Sequence, residues 1–219
     1  MSKQQGAVGP HEGEPVLTAG APLERARAAM IMVHGRGASA EDILSLSVEF
    51  PDQDFIFLAP QAAGHAWYPL TFLAPLAANE PGISSGMAVL QSLENQVREA
   101  GIPNEKIVLL GFSQGACLVL EYAARHARRF GGVAGLSGGL IGPDGTPRGY
   151  SGSLAGTPVF LGCSVRDPHI PESRVRLTDE VLRGLGATVT MRLYAEPGHS
   201  VNEDEVEHVR AMIRSVAAR

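Results

Sequence analysis

The chain has 219 residues, 44% of them hydrophobic, and its 23 Asp and Glu against 18 Lys and Arg give a formal net charge of -5. This length supports one domain with a full hydrophobic core, since about 150 residues per domain is the usual expectation. No basic block or basic-aromatic alternation is present, which excludes nucleic acid as an expected partner.

The opening segment 1–15 is polar and rich in Gly and Pro, and we predict a flexible tail there, followed by a single domain over 16–219. The tail lacks the apolar stretch of a secretory signal, and no later run approaches the ~18 apolar residues of a membrane span. We therefore expect a cytoplasmic protein without stable membrane insertion. Cys117 and Cys163 lack metal-type spacing and are expected to be reduced thiols.

Short apolar runs alternate with longer segments of helical period along the rest of the chain. The runs lie at 16–20, 29–35, 54–60, 106–112, 132–138, 158–163 and 188–194, and the helical segments at 40–49, 84–100, 114–128, 173–185 and 203–217. Most runs are continuously apolar, as in strands covered on both faces, and the first predicts an antiparallel edge strand. The pattern predicts an α/β fold with a mainly parallel, doubly wound sheet flanked by helices.

One segment interrupts this alternation. Residues 60–86 contain four prolines and no clear period, yet they hold several large apolar side chains. Long loops without secondary structure of their own are often lids or binding loops. We predict that a subset of these side chains forms an apolar wall of a substrate pocket, namely Trp67, Tyr68, Phe72 and Leu73. The alternative is that they only pin the loop to the core.

The stretch VLLGFSQGA at 108–116 places Ser113 between a predicted strand and a predicted helix. Gly111-x-Ser113-x-Gly115 fits the nucleophile-elbow pattern, in which glycines leave room for the strand and the helix around a strained serine. A serine that only caps the helix would fit the same residues. The strand-turn-helix context favours the nucleophile.

A serine nucleophile needs a histidine base and a carboxylate that orients this base. In folds built around such an elbow the chain order is serine, acid, histidine. His199 follows the last predicted strand in a Gly-Pro loop, and Asp167 follows the strand before it, at the edge where such sheets bind ligands. We predict Ser113, Asp167 and His199 as the catalytic residues. The alternatives are His169 as the base and a turn-closing role for Asp167.

The tetrahedral oxyanion of such a reaction needs hydrogen-bond donors, each worth ~3 kcal/mol. We predict the backbone N–H of Gln114, directly after the nucleophile, as one donor. The second is the backbone N–H of Arg36, which lies between two glycines in HGRGA at 34–38. The Arg36 side chain either reaches solvent or faces the entrance, where it would favour anionic substrates.

Five motifs follow one another along the chain: HGRGA at 34–38, the AP…WY loop at 59–68, GFSQGA at 111–116, DPHIP at 167–171 and GH at 198–199. Together they resemble the phospholipase/carboxylesterase family of α/β hydrolases, which contains the acyl-protein thioesterases and small bacterial carboxylesterases. The resemblance covers nearly the whole chain after the tail. It implies the α/β-hydrolase fold without a separate cap domain, the same triad and oxyanion groups, and neither a metal nor an organic cofactor.

Two positions depart from the family pattern. Trp67 is followed by Tyr68-Pro69, where family thioesterases usually carry an acidic residue, and Gly115 is followed by Ala116, where they carry a second glycine. The first departure removes support for long-chain acyl-protein substrates. Sister dienelactone hydrolases use cysteine as the nucleophile, so Ser113 argues against that activity.

These observations predict a serine carboxylesterase that hydrolyses small to medium carboxylic esters through an acyl-enzyme. The alternatives are a lysophospholipase or acyl-protein thioesterase and, from another class, a catalytically silent hydrolase-fold binding module. The expected partner is a small-molecule ester, and apolar helix faces would support a homodimer without identifying its interface. His65, His169 and His199 are too scattered to predict a metal site.

Overall fold

A computed structural model describes residues 9–50 and 53–218. It contains a sheet of seven strands in the spatial order β1-β3-β2-β4-β5-β6-β7. The strands are β1 Val16–Gly20, β2 Ala28–Val33, β3 Phe55–Pro60, β4 Ile107–Phe112, β5 Gly132–Leu136, β6 Pro158–Ser164 and β7 Thr188–Tyr194. Only β1, at one edge, runs antiparallel to its neighbour among these strands.

The α-helices lie on both faces of the sheet. They are α1 Ala40–Leu44, α2 Gly82–Glu99, α3 Gln114–Arg125, α4 Glu172–Gly184 and α5 Glu203–Ala217. Side chains of α2, α3 and α4 pack on one face, and those of α1 and α5 pack on the other. Within β2, Ile31 belongs to the first core and Met30 to the second, and both are fully buried. The continuously apolar strands follow from this double covering.

The predicted α/β fold is confirmed, including the antiparallel edge strand 16–20. The predicted helix 40–49 divides into α1 and a short 3₁₀ turn over Ser45–Glu49. Helix α2 begins at Gly82, so the end of the irregular segment 60–86 is helical. No helix in the described ranges is long and apolar enough to cross a membrane.

The predicted tail 1–15 is described only from residue 9 onward, and residues 1–8 lie outside the described residues. The described part packs against the domain through His11, whose side chain is buried. The His11 Nε2–H donates to the Trp67 carbonyl oxygen at 2.9 Å, and Nδ1 accepts from the N–H of Ala63 at 3.1 Å. Ser85 Oγ accepts from the His11 N–H. The chain is therefore already held against the domain before β1 begins.

Candidate active site

Ser113 lies in a strained turn between β4 and α3. Its φ of 54° and ψ of -118° fall in a region that residues with a side chain rarely adopt. A Cβ on Gly111 would lie 2.3 Å from the carbonyl oxygen of Gly115, and a Cβ on Gly115 would lie 2.1 Å from that of Val33. Both glycines are therefore required by the close approach of strand and helix. The turn presents the Ser113 hydroxyl at the carboxyl edge of the sheet.

A continuous hydrogen-bonded chain links Ser113, His199 and Asp167. The Ser113 hydroxyl lies 2.7 Å from His199 Nε2, and His199 Nδ1 lies 2.7 Å from Asp167 Oδ2. An ionised carboxylate only accepts, so Nδ1 carries the proton and Nε2 accepts from the hydroxyl. The geometry is that of a nucleophile, a general base and an orienting acid.

The carboxylate of Asp167 is held by two backbone amides. Its side chain is fully buried, and Oδ1 accepts from the N–H groups of His169 at 2.8 Å and Ile170 at 3.0 Å. Burial alone would raise the pKa of Asp167. The hydrogen bonds from His199 and from the two amides outweigh it, so the pKa lies below its usual value. Asp167 therefore stays ionised opposite His199.

Two side chains tie the Asp167 loop to the His199 loop. The Arg166 guanidinium donates to the Ala195 carbonyl oxygen at 2.7 Å, and the Ser164 hydroxyl donates to the carbonyl oxygen of Glu196. Neither Arg166 nor Ser164 was among the residues predicted for the site. Ser164 ends β6 and Arg166 follows it, beside the end of β7. This position could have pointed to them only if β6 and β7 were known to be neighbours.

The two predicted oxyanion donors lie at the rim of the same cavity as Ser113. Gln114 is the first residue of α3, where a backbone N–H has no partner within the helix. Arg36 lies between Gly35 and Gly37, the latter with a φ of 79°, in the turn that follows β2. The structure thus brings both predicted residues to the cavity that Ser113 lines.

The side chains of Arg36 and Gln114 hold the loop after β3 in place. The exposed Arg36 guanidinium donates to the carbonyl oxygens of Tyr68, Pro69 and Leu70. The Gln114 amide accepts from the Trp67 N–H at 2.8 Å and donates to the carbonyl oxygen of Tyr68 at 2.9 Å. Arg36 is exposed and also lines the cavity beside Ser113, while its guanidinium donates to the loop. This second role of both residues was not predicted.

A cavity of about 510 Å³ opens beside Ser113. Its lining residues are Arg36, Tyr68, Pro69, Leu70, Thr71, Phe72, Ser113, Gln114, Cys117, Pro168, His169, Ile170 and His199. Tyr68 and Phe72 thus lie where the sequence analysis expected them. The predicted apolar wall is nevertheless only partly apolar, because polar side chains line the cavity together with Leu70, Phe72 and Ile170.

The other two predicted pocket residues do not line this cavity. Trp67 is fully buried beneath it, where its indole N–H donates to the carbonyl oxygen of His34 at 2.9 Å. Leu73 faces a separate, smaller cavity shared with Asp144 and Arg174. The prediction that Trp67 and Leu73 line the pocket was therefore wrong. The chain turns over residues 71–74, which directs Leu73 away from the cavity. Trp67 is buried because its indole N–H hydrogen-bonds to the buried carbonyl oxygen of His34.

His169, the alternative base, lines the cavity, but the Ser113 hydroxyl is hydrogen-bonded to His199 instead. Its ring stands edge-on to the His199 ring, with centroids 4.8 Å apart. The Nδ1–H of His65 donates to the carbonyl oxygen of Ala38 at 2.9 Å. Across the described ranges, no three His, Cys, Asp or Glu side chains are grouped as metal ligands.

The known proteins that this chain resembles are carboxylesterases and acyl-protein thioesterases. The model of the family described as Phospholipase/Carboxylesterase matches residues 18–217. Acyl-protein thioesterase 1 of Debaryomyces hansenii is 27% identical over 92% of this chain and 97% of its own, and that of Gibberella zeae is 33% identical over 61% and 57%. A crystal structure of a phospholipase/carboxylesterase from Dyadobacter fermentans has a TM-score of 0.88 and 39% identity, covering 92% of this chain and 97% of that one.

Proposed function

The chain belongs to the phospholipase/carboxylesterase family and is a hydrolase of ester bonds, and from this premise we propose that it is a serine carboxylesterase for small to medium carboxylic esters. Ser113 is the nucleophile, His199 the base and Asp167 the orienting acid. The observation that carries the proposal is the hydrogen-bonded chain from the Ser113 hydroxyl through His199 to the buried carboxylate.

The reaction follows from this geometry in two halves. The Ser113 oxygen attacks the ester carbonyl carbon while His199 Nε2 takes its proton, and the N–H groups of Arg36 and Gln114 stabilise the oxyanion. His199 then gives the proton to the departing alcohol, which leaves an acyl-enzyme. Water attacks the acyl-enzyme with His199 again as base, and the acid is released from Ser113.

The size and walls of the cavity support a small or medium acyl group. Its volume of about 510 Å³ falls in the range of ~300–1,000 Å³ that is typical of small-molecule sites. The second candidate is a thioesterase, favoured by the name of the Debaryomyces hansenii relative, which aligns over most of both chains. Both reactions would pass through the same acyl-enzyme, so only the relative rates on ester and thioester substrates distinguish the two candidates.

The test is the hydrolysis of p-nitrophenyl esters from acetate to palmitate by the wild type and by Ser113→Ala. Ser215→Ala, which removes an exposed hydroxyl on α5, is the matched control. We expect Ser113→Ala to lose nearly all turnover and the control to keep it, with an optimum at short or medium chains. A long-chain optimum would favour the lysophospholipase or thioesterase alternative, and undiminished turnover by Ser113→Ala would refute the proposal.

A further inference from the structure

The wall of the cavity beside Ser113 contains a positively charged side chain and no negatively charged one. Arg36, His169 and His199 line the cavity, and none of the described residues that line it is an aspartate or a glutamate. A guanidinium is always positive, and an imidazole is either neutral or positive. The wall therefore offers an anionic group of a substrate a favourable contact and no carboxylate that would repel it.

The Arg36 guanidinium is open to a ligand. Arg36 is exposed, and its hydrogen bonds go to the carbonyl oxygens of Tyr68, Pro69 and Leu70. These three bonds use at most three of the five N–H groups of a guanidinium, so at least two have no acceptor among the described residues. A carbonyl oxygen carries no net charge. The loop therefore fixes the guanidinium in place and leaves its positive charge without a counter-ion.

Asp167 is the carboxylate of the catalytic chain, and it does not face the cavity. Its side chain is fully buried, and Oδ2 accepts from His199 Nδ1 at 2.7 Å. Oδ1 accepts from the backbone N–H groups of His169 and Ile170. A substrate in the cavity can therefore contact the positive charge of Arg36 directly, whereas the buried Asp167 carboxylate is out of its reach.

Two buried groups of the wall respond to the charges around them. Burial is the largest cause of the raised pKa values of Tyr68 and Cys117. Among the charged side chains, Arg36 lowers the pKa of Tyr68 by more than Glu121 raises it, and at Cys117 the lowering by Arg174 likewise exceeds the effect of Glu121. Positive charge thus outweighs negative charge at both groups, which is the condition that favours an anion.

We propose that the Arg36 guanidinium determines specificity by binding a carboxylate that the substrate carries in addition to its ester group. The planar arrangement of its N–H groups suits a carboxylate, and its position in the cavity wall allows the contact. This proposal rests on the proposed esterase function, because the preference is measured through turnover by Ser113. The carboxylate belongs either to the acyl part or to the alcohol part of the ester, and the substrates of the test distinguish these two sources.

The test compares each anionic ester with its uncharged methyl ester. Mono-p-nitrophenyl adipate carries the carboxylate in the acyl part, and 4-acetoxybenzoate carries it in the alcohol part. We expect the ratio of kcat/KM values, anionic over neutral, to fall about three- to tenfold in Arg36→Gln for the pair whose carboxylate meets the guanidinium, as for one lost, partly exposed ion pair with hydrogen bonds. Unchanged ratios for both pairs would overturn the proposal.

Arg36→Lys separates the charge of Arg36 from its support of the loop. Both substitutions disturb the hydrogen bonds to the loop carbonyls, but only Arg36→Gln removes the positive charge. We expect Arg36→Lys to keep most of the preference for the anionic ester. Equal falls of the ratio in the two variants would show that the loop, and not the charge, causes the effect, and the proposal would be wrong.

Arg214→Gln is the control for the overall charge of the chain. Arg214 lies on α5, where its exposed side chain pairs with Glu207 at 2.6 Å. This substitution changes the net charge of -5 by the same amount as Arg36→Gln. Both ratios should stay at their wild-type values. A fall as large as that in Arg36→Gln would assign the preference to the net charge instead of the cavity wall.

A binding measurement separates this proposal from the esterase function. In the Ser113→Ala background, monomethyl adipate should bind more tightly than dimethyl adipate if the acyl pair depends on Arg36, and 4-acetoxybenzoate more tightly than its methyl ester if the alcohol pair does. Adding Arg36→Gln should remove the difference. Equal binding within both pairs would refute the role of Arg36 even where hydrolysis depends on Ser113. Failure of the esterase function would appear instead as turnover of the neutral esters that Ser113→Ala does not reduce.

Discussion

At the scale of single residues, chemistry-bearing side chains meet because each follows the end of a strand. Ser113 follows β4, Asp167 follows β6 and His199 follows β7, and the parallel strands bring all three to one edge. Their types and their positions after strands were readable in the sequence. The loop residues Trp67 and Leu73 were misplaced, since a segment without a period carries no information on which side chain faces the cavity.

The Asp167 carboxylate invites a conservative test. In Asp167→Asn, the amide oxygen can still accept from the N–H groups of His169 and Ile170, but an NH₂ group can face His199 Nδ1. That contact favours the wrong histidine tautomer, so we expect kcat to fall on the order of 10⁴-fold by analogy with other triads. KM and the thermal midpoint should change little.

The measurement is steady-state kinetics on p-nitrophenyl butyrate. Asp179→Asn is the control, because that aspartate pairs only with Arg183 on the outside of α4 among the described residues. We expect its kcat to match the wild type. An Asp167→Asn enzyme within tenfold of the wild type would show that His199 needs no carboxylate.

At the scale of elements, hydrophobic periodicity located the strands and helices. A strand buried on both faces is continuously apolar, whereas a helix buried on one side has apolar residues at helical spacing. One close approach between elements depends on glycine instead. At Gly115, the start of α3 passes so near the end of β2 that no side chain fits. The elbow motif predicted this approach, although the motif alone does not name Val33 as the neighbour.

Gly115→Ala tests this close approach. The added Cβ would lie 2.1 Å from the Val33 carbonyl oxygen, and a backbone atom cannot move aside cheaply. We expect a loss of about 3 kcal/mol in the free energy of unfolding, measured with urea, together with a loss of activity as α3 shifts.

Gly184→Ala is the matched control for this substitution. Gly184 ends α4, and a Cβ there would meet no atom within 4 Å. Alanine favours the helical state, so the variant should be as stable as the wild type or up to ~1 kcal/mol more stable. Equal changes in the free energy of unfolding for the two substitutions would show that the close approach to β2 does not require glycine at position 115.

At the scale of the whole molecule, packing of α5 on the sheet buries a carboxyl group. Glu205 is 1% exposed and lies against Gly162 of β6, while its Oε2 accepts from the N–H of Asn202 at 2.9 Å. Burial raises the pKa of Glu205 to about 7, against the lowering effect of that hydrogen bond, and the charges of Asp204 and Asp167 add to the increase. The fold therefore favours the protonated form.

The contribution of Glu205 to stability therefore falls as the pH rises. Between pH ~4.5 and 7, the native carboxyl of Glu205 holds a proton that the unfolded chain has lost, so the free energy of unfolding decreases across this window. Glu205→Gln keeps an oxygen for the cap of α5 and removes the ionisation. We expect this variant to be more stable than the wild type at pH 8, on the order of 3 kcal/mol, with the gap closing toward pH 5.

Urea unfolding at pH 5, 6, 7 and 8 measures this gap. Glu207→Gln on the same helix, where the carboxylate is half exposed and paired with Arg214, is the control. Its difference from the wild type should show no such rise between pH 5 and 8. The contribution of Asp167 is common to the wild type and both variants and cancels in the comparison. A gap for Glu205→Gln that does not change with pH would contradict the raised pKa.

The sequence by itself determined the α/β architecture, the strand and helix positions and the elbow around Ser113, because these depend on burial patterns and steric limits within a few residues. The tertiary structure decided which distant groups meet. It placed His199 against a serine 86 positions earlier, turned Trp67 into the core, and set Arg36 and Gln114 to hold the loop carbonyls. Such contacts depend on strand order and loop conformation, which arise from the packing of the whole chain.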